Sequence, residues 1–98
     1  MCREGLMHPP YDAPLPVRVR VELVEADVEI VFNLLDMADA AIGLGDAATA
    51  KDVLKEAECV FSDIGLRLKQ LGALETLPFL PLVEELRRAL DKAESRTQ

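Results

Sequence analysis

One run of side chains limits what this chain can fold into. Val17, Val21, Val24, Val28, Val31, Leu35, Ala38 and Ile42 recur at alternating steps of four and three residues. That rhythm keeps one face apolar through about seven turns of α-helix, the pattern of a coiled-coil-like seam. A strand competes only at the start, where Val17, Val19, Val21 and Leu23 alternate with charged residues, and it fails after Leu23 while the helical stripe continues. The pattern predicts a first helix over 17–43, entered at Pro16 and stopped at Gly43 and Gly45; a first turn tolerates proline and a glycine favours a C-terminal cap. Arg18 and Arg20 fit this reading poorly, because they lie near the positive end of the helix dipole among β-branched residues. A start near Arg20, or a short extended piece before it, is the alternative.

Two more stripes follow. Asp46 suits the N-cap of a second helix over 46–71, with Ala50, Val53, Leu54, Ala57, Val60, Phe61, Ile64, Leu68 and Leu71 on one face and Gly72 as its stop. Gly65 inside it marks either a close contact or a bend. Pro78 and Pro81 forbid a regular helix interior but permit a first turn, so the third helix is expected over 81–95. Leu82, Val83, Leu86, Leu90 and Ala93 form its apolar face, with Glu84–Arg88 and Arg87–Asp91 as solvent-side pairs. Residues 96–98 should fray, and Pro9, Pro10, Pro14 and Pro16 make residues 1–16 an irregular arm. A chain of 98 residues is one domain's worth, and its few aromatics with no Trp suit packing through aliphatic and small side chains. The expected fold class is all-α: an antiparallel up-down-up three-helix bundle with an irregular proline-rich N-terminal arm.

Helix lengths turn that architecture into an expected surface. The first two helices reach roughly 35 to 40 Å and the third roughly 22 Å, so the third should cover about Val21–Leu34 and Ala57–Leu71 and leave the far end bare. Leu35, Met37, Ala41, Ile42, Leu44, Ala47, Ala50 and Val53 are thereby marked as an association surface. A protein partner is expected there, with a two-fold homodimer as the commonest solution. The competing expectation is that the arm folds over this end, or that small Ala side chains let the two helices close on each other.

Residues 31–64 resemble one tetratricopeptide-type helical hairpin, with Leu34, Met37, Ala38 and Ala41 in its first helix, Ala50, Leu54 and Ala57 in its second, and Leu44–Asp46 at the reversal. The match spans about one repeat of 34 residues. No proline stands near Ser62, where the repeat ends its second helix, and no second copy flanks it. The resemblance implies protein interaction, while any antiparallel helical pair with small residues at its crossing shows the same pattern.

Charge narrows the partners. The net charge is -7, and residues 17–43 carry six acids against Arg18 and Arg20. The dense basic spots are Arg18/Arg20 and Arg87/Arg88, too few for a phosphate-binding stripe, so nucleic acid is not expected. No run reaches the length of a membrane span and the first residues lack the apolar core of a signal peptide. Two cysteines, Cys2 and Cys59, provide no disulfide framework; Cys59 reads as an inert thiol beside the apolar face, and a cytoplasmic protein is expected.

Chemistry has little support. Glu22 with Glu25 and Asp36 with Asp39 place carboxylates three apart on one helix, Glu29 lying between the pairs, a thin resemblance to all-α nucleotide pyrophosphohydrolases that hold Mg²⁺ on acidic pairs of neighbouring helices. The pairs lie roughly 21 Å apart, too far to share an ion, so a facing helix would have to contribute Asp52, Glu56 or Glu58. A solvated acidic face is the expected reading. The single histidine, His8, sits in the arm, away from any helix-borne metal motif. Ser62, Ser95, Thr49 and Thr76 have no recognisable base, and the glycines of Gly43–Asp46 lack dinucleotide spacing. No metal or cofactor is expected, and enzymatic activity has no positive support.

Overall fold

The computed structural model describes residues 16–97. The proline-rich arm apart from Pro16, with Cys2 and His8, and the last residue of the expected frayed tail lie outside them. Helix α1 spans Val17–Gly43 and α2 spans Ala47–Lys69. A four-residue helix, α3 (Ala73–Thr76), and a 3₁₀ turn (Leu77–Phe79) lead into α4, Leu80–Arg96. The fold is all-α: α1 and α2 pack as a hairpin and α4 lies against both. Arg96 of α4 reaches Asp39 of α1, while Phe79 and Leu82 lie beside Glu25 and Val28. α4 therefore runs parallel to α1 and antiparallel to α2, the up-down-up order that three amphipathic stripes require.

The core is built from the stripes. Val24, Val28 and Val31 of α1, Leu54, Ala57, Val60 and Ile64 of α2, and Leu86, Leu90 and Ala93 of α4 form one buried cluster, closed at one end by Phe79. Small residues set how closely α1 and α2 approach: Ala38, Ala50 and Ala57 are each fully buried, which leaves no room for a larger side chain at the crossing.

Local chemistry explains the helix ends. The Asp46 carboxylate accepts hydrogen bonds from the Thr49 amide at 3.1 Å and from its hydroxyl at 2.6 Å, which caps α2 and holds the Asp46 pKa below its ordinary value. Gly45 has φ +79°, the left-handed conformation that reverses the chain at least cost when there is no Cβ. α1 begins at Val17, with extended Pro16 as its N-cap. Arg20, badly placed for its own helix dipole, donates to the Gln70 carbonyl at 3.1 Å. The antiparallel neighbour ends there, so Arg20 meets the negative end of α2.

The end of α2 differs from the sequence expectation, while Pro78 and Pro81 both sit in first turns as expected. α2 closes at Lys69 through 3₁₀-type bonds from Gln70 to Arg67 and from Leu71 to Leu68, and Gly72 caps α3 instead of stopping α2. Pro78 is accommodated in the 3₁₀ turn and Pro81 at the second position of α4, where a missing amide costs no helical bond. Gly65 has nothing within 4 Å of the Cβ it lacks, so it marks no close contact.

Candidate functional site

The connector between α2 and α4 decides what stays exposed. α3 and the 3₁₀ turn use up chain beside the end of α2, where the Thr76 hydroxyl donates to the Leu68 carbonyl, and α4 then starts opposite Val28 and ends beside Asp39. It thus reaches past Leu34, the expected limit of its coverage. Of the eight residues expected to line a bare groove, Ala50 is 0% and Ala41 7% exposed, both closed off in the α1–α2 crossing. Leu35, Ile42 and Val53 are half-buried, and Leu35 and Val53 pack against the core. Met37, Leu44 and Ala47 remain on the surface. Among the described residues the hairpin end is therefore closed at Ala41 and Ala50 and keeps Met37, Leu44 and Ala47 as its exposed part.

Leu66 of α2 and Leu74, Leu77 and Leu80 of the connector and the start of α4 are exposed, and a row in regular register lies along the outer side of α1. Ile30 is 42%, Met37 55% and Leu44 85% exposed, and half-buried Leu23 continues the same line toward the helix start. Residues seven apart on a helix drift by only about 20°, so these four make one row. Ala26, Asn33 and Ala40, all exposed, run beside it as a row of small side chains. Glu22, Glu29 and Asp36, also exposed, form a third row along the far edge. Met37 and Leu44 of this row belong to the association surface expected from the sequence, whereas the stripe from Val21 to Ala38 enters the core. The signal for this second face was a further seven-residue repeat, offset by one position from the first.

The acids considered for a metal site separate in the fold. Asp39 pairs with Arg96 at 2.6 Å, and Glu58 of α2 faces α4, not α1, so it adds nothing to Glu22, Glu25, Glu29 or Asp36. Arg87, expected as a solvent-side residue, instead bridges α4 to α2. It donates through both terminal nitrogens to the two Glu58 oxygens, bonds Asp91 at 2.7 Å and lies 5.0 Å over the Phe61 ring. Oxygens of Glu58, Asp91 and Glu94 lie within 4.8 Å of one another, but the Arg87 guanidinium already supplies their counter-charge. The hydrogen bonds from Arg87 hold the Glu58 pKa below its ordinary value despite partial burial. Glu94 is pushed up to about 7, because its protonated form hydrogen-bonds Glu58, and because burial and the Glu58 charge disfavour ionisation. Arg87 is also 3.8 Å from Glu94, but the closer Glu58 interaction outweighs that attraction. Together these groups form a structural clamp between α2 and α4.

Cys59 is half-buried and is not a free thiol, which corrects the expectation of an inert buried sulfhydryl. Among the described residues no helix is long and apolar enough to cross a membrane. No family model, no curated protein and no solved structure matches the chain.

Proposed function

We propose that this protein is a protein–protein interaction module that works by docking a helix on the outer face of α1. The observation that carries this reading is the exposed row of Ile30 and Met37 on a single long helix, continued by Leu44 at its C-cap. Scattered surface apolar residues need no explanation, but a row in register along several turns is the arrangement by which one helix recognises another. The resemblance of residues 31–64 to a tetratricopeptide hairpin supports the same role. The test is whether Met37→Asp and Leu44→Asp abolish association while leaving helix content and melting temperature unchanged. A large loss of stability in both variants would mean that the row serves the fold and not a partner.

Self-association through this face is a second proposal, favoured by the adjacent small row. When two α1 helices run antiparallel, the large row of each copy meets the Ala26–Asn33–Ala40 row of the other. The acidic rows then oppose each other, so such a dimer would strengthen with salt. Molar mass by light scattering over a hundredfold range of concentration, at low and high salt, tests it; a monomer under every condition excludes a homodimer through α1.

A further inference from the structure

Resting on the helix-docking reading, we infer that the outer face of α1 takes a basic amphipathic helix of another protein, with apolar side chains packed on Ile30, Met37 and Leu44 and Lys or Arg side chains on Glu22, Glu29 and Asp36. Charge decides the occupant. The three acids lie on one edge of the apolar row, at the same seven-residue spacing, and none of them makes an ion pair among the described residues. Asp27, Asp39 and Glu58 are by contrast each joined to an arginine of a neighbouring helix, so the acids beside the exposed apolar row keep their charge available to a partner. Ala26, Asn33 and Ala40 fill the strip between the two rows with short side chains, which lets a partner backbone approach and places both rows within reach of one helix. A second copy would bring acid to acid, whereas a basic helix satisfies both rows at once. The acidic edge would steer the encounter and fix orientation, and the apolar row would supply affinity.

The probe is a synthetic helical peptide of about three heptads, with Leu at every seventh position, Ala between, and Lys along one flank. Its controls are the same peptide with Glu for Lys and a scrambled version of equal composition. Fluorescence anisotropy with the full-length chain should show binding of the basic peptide alone. Met37→Asp should weaken it at least about tenfold, and the E22Q/E29Q/D36N triple variant about tenfold at low salt with a flatter salt dependence. Equal binding of the acidic or scrambled peptide, or binding indifferent to both sets of substitutions, overturns the inference. If no peptide binds but light scattering shows a dimer that Met37→Asp dissociates, helix docking stands and the occupant is a second copy. If no peptide binds and the chain is monomeric throughout, the inference and the reading beneath it both fall.

Discussion

Arg87 of α4 grips Glu58 of α2 with both terminal nitrogens, one at 3.1 Å, while its guanidinium plane lies over Phe61. Two other arginines join the remaining helix pairs: Arg67 of α2 to Asp27 of α1 at 2.8 Å, and Arg96 of α4 to Asp39 of α1 at 2.6 Å. Each pair of helices thus carries at least one ion pair among the described residues. Partly exposed pairs contribute little to stability, so the buried aliphatic cluster holds the bundle while the arginines select its register.

Removing Arg87 should cost more than removing Arg96. Arg87→Ala leaves Glu58, Asp91 and Glu94 crowded together without counter-charge, and a loss of about 1 to 2 kcal/mol is expected after allowance for solvent screening. Arg96→Ala frees an exposed Asp39 and should stay within about 0.5 kcal/mol of the parent. Urea denaturation at neutral pH compares the two directly. Arg87→Lys should behave more like the alanine variant than the parent, because an ammonium cannot reproduce the paired geometry.

The same clamp predicts a pH dependence. Glu94 is pushed up to about 7 in the folded protein, so between the ordinary carboxyl range and pH 7 the folded state binds the extra proton and stability falls as pH rises. Glu58, held below its ordinary value by Arg87, acts in the opposite sense: its contribution is present above the ordinary carboxyl range and is lost on further acidification. Stability should therefore peak in mildly acidic solution. Glu94→Gln keeps a hydrogen-bond donor for Glu58 without the titration, and should flatten the decline toward neutral pH. Thermal melting across the pH range reads both effects.

Much of this was legible in advance, and the reasons are specific. The valine stripe of α1 fixes a helix because its period persists over many turns, and Asp46 with Gly45 marks the reversal by chemistry that few other residues supply. The site was less legible. The bare region is smaller than expected because the position of α4 depends on how Thr76 and the proline turn fold against the end of α2, a tertiary matter with no sequence period. Arg87 looked like a surface residue because its partner, Glu58, lies 29 positions away. Arg20 looked misplaced because the carbonyl it satisfies belongs to another helix.

The glycines should respond in opposite directions. Gly65 sits on an exposed helical surface with nothing near its missing Cβ, so Gly65→Ala should stabilise by about 1 kcal/mol. Gly45 holds φ +79°, and Gly45→Ala should destabilise by about 1 kcal/mol. Paired chemical denaturation measures the two.

Core and outer face should separate cleanly. Leu86 is fully buried, and Leu86→Ala should cost about 2 to 5 kcal/mol. Ala57→Leu should cost about 1 to 3 kcal/mol by forcing α1 and α2 apart at their crossing. Met37→Ala removes a side chain that meets mostly solvent, and should leave the unfolding midpoint within experimental error of the parent.

The most direct measurement is a backbone amide shift map of the full-length chain titrated with the basic helical peptide. Perturbations are predicted to run along the outer side of α1, strongest around Ile30, Met37 and Leu44, with α4 little affected. Perturbations centred on α4 or on the Leu74–Leu80 connector, or none at saturating peptide, would contradict the assignment of the α1 outer face as the docking surface.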